Sequence, residues 1–197
     1  MQENSNARLI VIVAPSGTGK SSLIKKLHSD FDSIKWSVSM TTRKKRPAEV
    51  EGVDYFFVDQ ETFNQGIHHD RFVEWAKVHG NHYGTSKDFV ENGIRQGAVL
   101  LFDLDVQGTD ALIKEYGKYT KAIFIAPPSL QCLEERLIAR GTEDEETIKR
   151  RTQNAIVELQ RKNDYDYLVI NNDFDKAYKD LSSIIREILQ TRENEFN

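Results

Sequence analysis

Apolar residues in this chain repeat with two different periods. Three nearly unbroken runs, RLIVIVA (8–14), AVLLFDLD (98–105) and KAIFIA (121–126), read as strands buried in a parallel sheet. A fourth, YLVI (167–170), precedes NNDFD. Helical spacing lies between and after the runs. Leu23, Ile24 and Leu27 share one helix face. Phe174, Ala177, Tyr178, Leu181, Ile184, Ile185, Ile188 and Leu189 follow the i, i+3, i+4, i+7 rule over about four turns. Strand–helix alternation of this kind predicts an α/β fold, a parallel sheet core flanked by helices.

Two stretches depart from that pattern. Residues 37–90 carry shorter, more polar strands and most of the histidines. Residues 129–162 read as two helices joined by RGTEDEE, where Thr142 and Glu145 have capping-box spacing. Pro127 and Pro128 lack amide donors, so the third run ends before them. The expected layout is a single domain over 1–197. Its core takes about 1–36, 91–128 and 163–197, and the two stretches form mobile lobes on it.

Composition narrows the partners. The formal net charge is −4, so an anion site must come from local clustering and bulk charge gives no reason to expect nucleic acid. The single cysteine, Cys132, excludes an internal disulfide and a cysteine-based metal cluster, and suits a cytoplasmic protein. In SLQCLEERL it reads as a small packing residue. No secretory signal is expected from LIVIVA, and no apolar run is long enough to cross a membrane. The oligomeric state is open, a homo-oligomer included.

Candidate chemistry begins with APSGTGKSS (14–22), which stands between a strand and a helix. Gly17 and Gly19 let backbone amides curl toward phosphate oxygens, and the helix start adds unpaired N–H groups. Lys20 is placed to reach β/γ-phosphates, and Ser21 offers a hydroxyl to Mg²⁺. Ala14 stands where the usual G-x-x-x-x-G-K-[ST] pattern has its first glycine. It precedes Pro15, however, and a residue before proline favours extended backbone with negative φ, which alanine accepts. A phosphate loop needs an acid from a neighbouring strand. VLLFDLD supplies Asp103 and Asp105, which period two puts on one strand face. Asp103 is the candidate support for Mg²⁺.

The acceptor is addressed by SVSMTTRKKRPAEVEGVDYFF (37–57). Taken alone, RKKR fits a nuclear-import tag, a nucleic-acid patch or a solvated loop. Ser39, Thr41 and Thr42 surround it, and Tyr55 follows. Forked arginine donors with a phenol can hold a phosphate monoester, whereas Lys44 and Lys45 read as surface charge. In FVEWAKVHGNHYGTS (72–86), Glu74 can accept from the N1–H and 2-amino group of a guanine edge, a donor pair that adenine lacks. His79 and His82 stand three apart without a nearby third ligand, which is weak evidence for a metal.

These segments, with LFDLDVQG, IAPPS, RLIARGTEDEETIKRR and VINNDFDKAY, resemble guanylate kinase, in the family's order and over nearly the whole chain. The middle segments are specific to the family; the phosphate loop is not. The resemblance implies a core of the phosphate-loop kinase type, an acceptor lobe at 37–90 and a helical lid at 129–162. It also implies transfer of the γ-phosphoryl group of ATP to GMP, with Mg²⁺, in line and with lobe closure. Ala14, Pro15, Ser16, Gly17, Thr18, Gly19, Lys20, Ser21 and Ser22 would hold ATP. Asn171 would lie near its adenine. Ser39, Arg43, Arg46, Tyr55 and Tyr83 would hold the GMP phosphate; Glu74, Thr85 and Asp105 would read its base. Thr85 stands where members often have serine, with the hydroxyl kept. Lys20, Arg43, Arg136, Arg140 and Arg151 would carry the transferred charge. Three rivals are a non-catalytic module of guanylate-kinase-like fold, a phosphate-loop kinase for another small acceptor, and a nucleic-acid binder built on RKKR. Retention of the loop lysine and lid arginines opposes the first. Glu74 with Asp105 opposes the second.

Overall fold

The computed structural model describes residues 7–78, 80–139 and 145–194. His79, Arg140 and Thr142 lie outside them. The chain runs β1 (Arg8–Val13), α1 (Lys20–Asp30), β2 (Lys35–Trp36), β3 (Met40–Thr41), β4 (Phe56–Phe57), α2 (Gln60–His68), β5 (Phe72–Val78), β6 (Asn81–Ser86), α3 (Lys87–Arg95) and β7 (Val99–Leu104). It continues as α4 (Val106–Tyr116), β8 (Thr120–Ala126), α5 (Leu130–Ala139), α6 (Glu145–Gln160), β9 (Tyr167–Ile170) and α7 (Phe174–Asn194).

One sheet has the order β2-β7-β1-β8-β9. Lys35 and Trp36 pair in parallel with Leu100 and Leu101, and Ile123–Ala126 pair in parallel with Tyr167–Ile170. The apolar runs are long enough for strands and too short for helices, and their side chains fill the interior. Leu9, Ile10, Ile12, Phe102 and Phe124 are fully buried, and each such burial contributes roughly 1.5–3 kcal/mol. β9 is an edge strand in which only Val169 is buried. Helices flank the sheet, and the fold is of the α/β class.

The chain divides into two compact units. The first contains Ile34–Phe102 and Gln107–Thr120, with the start of the chain through Leu9. It holds a second sheet, β4-β3-β6-β5, in which β5 and β6 form an antiparallel pair. Phe63 of α2 stacks on Phe72 of β5 at 4.4 Å, which anchors that helix. The Asp59 carboxylate caps α2 by accepting from Thr62 N at 2.7 Å, and the Ser86 hydroxyl oxygen caps α3 by accepting from Phe89 N.

The second unit contains Ile10–Ser33, Asp103–Val106 and Lys121–Asn197. Here Val13, Phe124 and Ala126 form a buried cluster covered by Val106, Leu159 and Tyr165. Leu133 and Leu137 of α5 pack with Ala155 of α6, so the two helices are joined by their apolar faces. Ala177, Leu181, Ile185 and Ile188 put the apolar stripe of α7 inside. β8 ends at Ala126, immediately before the two prolines.

Candidate functional site

The glycine-rich loop of the second unit follows β1 directly. Asp70 is the only non-glycine with positive φ among the described residues, so Ala14 occupies backbone space open to alanine. Left-handed geometry falls instead on Gly17 (φ 92°) and Gly19 (φ 88°). Buried Thr18 fixes the turn: its hydroxyl donates to Pro15 O at 2.9 Å. Gly19 is the N-cap of α1 and supplies no side-chain cap. The helix start is therefore open to an anion.

Lys20, the first residue of α1, donates to Leu104 O at 2.9 Å and pairs with Asp103 Oδ1 at 2.5 Å. Its side chain is 18% exposed and that of Asp103 is 48% exposed, so the ammonium is partly desolvated. The two aspartates do not share a strand. β7 ends at Leu104, and Asp105 lies beyond it, immediately before α4. Period two fails because a helix begins at Val106. Ser16, Ser21 and Ser22 are exposed.

Arg136 and Asn171 act on the loop's backbone. Arg136 Nη2 donates to Asn171 O at 2.9 Å, and Nη1 reaches Thr18 O at 3.5 Å. Asn171 Nδ2 donates to Thr18 O at 2.6 Å. A pocket of about 490 Å³ is lined by Gly17, Gly19, Ser22, Arg136, Asn172 and Phe174, among others. Arg151 of α6 donates to the Ser16 hydroxyl at 3.2 Å. Glu158, on the same helix, was not singled out from the sequence. Burial pushes its carboxyl up, Asp105 adds to the effect and Lys20 opposes it.

The first unit carries the other candidates. Arg43 forks onto Glu49, with Nη2 to Oε1 at 2.6 Å and Nη1 to Oε2 at 3.0 Å. Both side chains are largely covered. The fork with Glu49 is the main reason the Arg43 guanidinium is held above even the ordinary arginine range, with Tyr83 helping. The guanidinium carbon lies 5.3 Å from the Tyr55 ring centre, and Tyr55 meets Tyr83 edge-on at 5.9 Å. Ser39 O accepts from Phe56 N at 3.0 Å, which ties the residue before β3 to β4, next to Tyr55. Arg46 is exposed, and its backbone N–H donates to Glu49 at 2.8 Å. Glu49 thus holds both ends of the basic turn. In the sequence it is one more acid in a charged loop. The only available signal was its three-residue spacing from Arg46 across a proline-containing turn.

On β5 and β6, Glu74 and Thr85 are register partners, and the Thr85 hydroxyl donates to Glu74 Oε1 at 2.6 Å. Asp105 belongs to the other unit. His82 Nδ1 lies 3.1 Å from Gln60 Oε1, and its ring packs near Phe63 and Trp75. Among the described residues no group of three or more His, Cys, Asp or Glu is placed to hold a metal ion.

A phosphate loop on a parallel sheet flanked by helices, with its lysine against an aspartate at a strand end, defines a phosphate-loop nucleotide-binding protein. The family profile described as guanylate kinase matches residues 6–188, and the chain belongs to that family, the ATP:GMP phosphotransferases. It is 43% identical to a guanylate kinase of Wolinella succinogenes over 190 residues, covering 96% of this chain and 88% of that one. It is 44% identical over 179 residues to one from Thermotoga maritima, covering 91% and 86%. The fold matches the crystal structure of guanylate kinase from Anaplasma phagocytophilum with a TM-score of 0.69. That match has 31% identity and covers 94% of this chain and 88% of the other.

Proposed function

We propose that this chain carries out the family's reaction with the loop of the second unit holding ATP·Mg²⁺ and the first unit holding GMP. The Glu74–Thr85 pair carries the reading. A threonine hydroxyl fixes one carboxylate oxygen, so the carboxylate is set in one orientation before a base arrives. Guanine offers two adjacent donors to such a group; adenine, cytosine and uracil do not. Asp105 completes base recognition. Ser39, Arg43, Arg46, Tyr55 and Tyr83 take the GMP phosphate, and Glu49 keeps Arg43 ordered until it does. The acceptor lobe occupies about 37–90 and the lid about 129–162.

The donor's triphosphate lies on the amides of residues 14–22, with Lys20 on the β- and γ-phosphates. Ser21 and Asp103 present a hydroxyl and a carboxylate, hard oxygen donors of the type Mg²⁺ takes alongside phosphate oxygens. The ion, when bound, neutralises charge on the β- and γ-oxygens. Lys20, Arg43, Arg136, Arg140 and Arg151 stabilise the charge spread over the transferred phosphoryl. No general base is required, because the GMP phosphate is already an anionic nucleophile. In-line transfer needs closure that excludes water, which would otherwise take the phosphoryl group. The lone cysteine fits a cytoplasmic site of action, and among the described residues no helix is long and apolar enough to cross a membrane.

A coupled assay of ADP release tests the assignment with GMP, AMP, CMP and UMP in turn, with and without Mg²⁺. Release with GMP alone, and only with the ion, is expected. Equal release with AMP would overturn the base-reading role, and release without Mg²⁺ would remove the metal from the scheme.

A further inference from the structure

We infer that Asn171 is a positioning residue for the phosphate loop, holding its backbone in the shape that receives phosphate, and that it does not read the adenine. This rests on the loop taking ATP, as proposed above. The Asn171 side-chain amide nitrogen is committed: Nδ2 donates to Thr18 O at 2.6 Å, and the residue is 5% exposed. Its main chain is committed as well. Asn171 N donates to Ala126 O at 2.8 Å, extending the β8–β9 ladder by one step, and Asn171 O accepts from Arg136 at 2.9 Å.

The amide stands so close to the loop that no side chain fits between them. A Cβ built on Gly19 would lie 2.6 Å from Asn171 Nδ2. Gly19 is thus required twice, by its left-handed φ and by this approach. The Thr18 carbonyl that accepts from Asn171 belongs to the peptide whose N–H is that of Gly19. Fixing that carbonyl fixes the direction of the N–H, which is one of the amides a phosphate must meet. Arg136 braces the same carbonyl from α5 and holds Asn171 from the other side. The two residues form a strut from the end of β9 to the loop.

A base-free probe separates positioning from base reading. Binding of ATP and of inorganic tripolyphosphate, each with Mg²⁺, is measured by competition with a fluorescent ATP analogue. The wild type is compared with Asn171→Leu, which keeps bulk, and Asn171→Ser, which shrinks it. Both substitutions leave the backbone bonds of residue 171 in place. The expected result is a loss of about tenfold for ATP and for tripolyphosphate alike, the size of one buried hydrogen bond. KM for GMP and the melting temperature should hold in at least one variant. Loss confined to ATP would assign Asn171 to the base and overturn the inference, as would no loss for either probe. A wild type that bound no ATP would instead sink the functional reading itself.

Discussion

Thr85 and Glu74 face each other as register partners on adjacent antiparallel strands, joined by a 2.6 Å hydrogen bond from hydroxyl to carboxylate. Thr85 is 1% exposed, so its hydroxyl has little else to serve. The arrangement spends one donor on one carboxylate oxygen and keeps the carboxylate from rotating. A rigid acceptor loses less entropy on binding a base than a free one does.

Glu74→Gln should therefore damage acceptor binding selectively. It replaces two acceptor oxygens with one: the amide N–H₂ either opposes a guanine donor or turns to donate to the Thr85 hydroxyl oxygen, and one oxygen is left for two guanine donors. KM for GMP should rise about tenfold or more, with KM for ATP little changed. Steady-state kinetics with each nucleotide varied in turn provides the check, and equal losses for both would contradict base reading by Glu74.

Lys20 is held by Asp103 and the Leu104 carbonyl, so its ammonium is fixed against the end of β7. A fixed cation aimed at developing charge contributes more in the transition state than in the ground state. Lys20→Ala should lower kcat by about 10² or more, while GMP affinity stays near normal. Turnover close to wild type would remove Lys20 from the mechanism.

The parts of the fold legible in the sequence are those in which one chemical class repeats. β1, β7 and β8 fall on apolar runs that nothing but a buried strand explains, and α7 falls on a stripe of fixed period. β2, β3 and β4 have only two residues each and carry no period. α2 and α3 lie within or beside a stretch expected to be strands, although Asp59 and Ser86 do signal their starts. At the site, the loop was legible because glycine and lysine spacing has few other uses. Glu49 and Glu158 were not, because an acid in a charged loop or on an amphipathic helix looks solvated until its partner is known. Arg136 and Asn171 also donate to main-chain carbonyls, contacts for which the sequence carries no signal. Carbonyl partners leave no trace in a sequence.

Glu49 carries a pH prediction. The Arg43 fork, then the Arg46 N–H, holds its carboxyl below the ordinary value of 4.5. A depressed carboxyl stabilises the folded turn fully above its unfolded value. That contribution is lost as pH falls through the lower, folded-state value. The Glu49 carboxyl resonance should titrate below 4.5, and Arg43 should lose its protected side-chain N–H signals over the same range. Titration of Glu49 at or above the ordinary value would show that the fork does not form in solution.

Glu158 has the opposite sign. Burial, reinforced by Asp105, pushes its carboxyl above the ordinary value of 4.5 despite Lys20. Below the unfolded value the group is protonated in both states and costs nothing. As pH rises through the folded-state value, the native protein must ionise a half-covered carboxyl beside another acid, and stability falls. Glu158→Gln removes that penalty and keeps the shape. The variant should melt above the wild type at neutral pH, and the gap should close as pH drops below 4.5. A variant that melted lower at neutral pH would mean that attraction to Lys20 outweighs burial and Asp105 together, so that Glu158 would be a stabilising partner of the loop lysine.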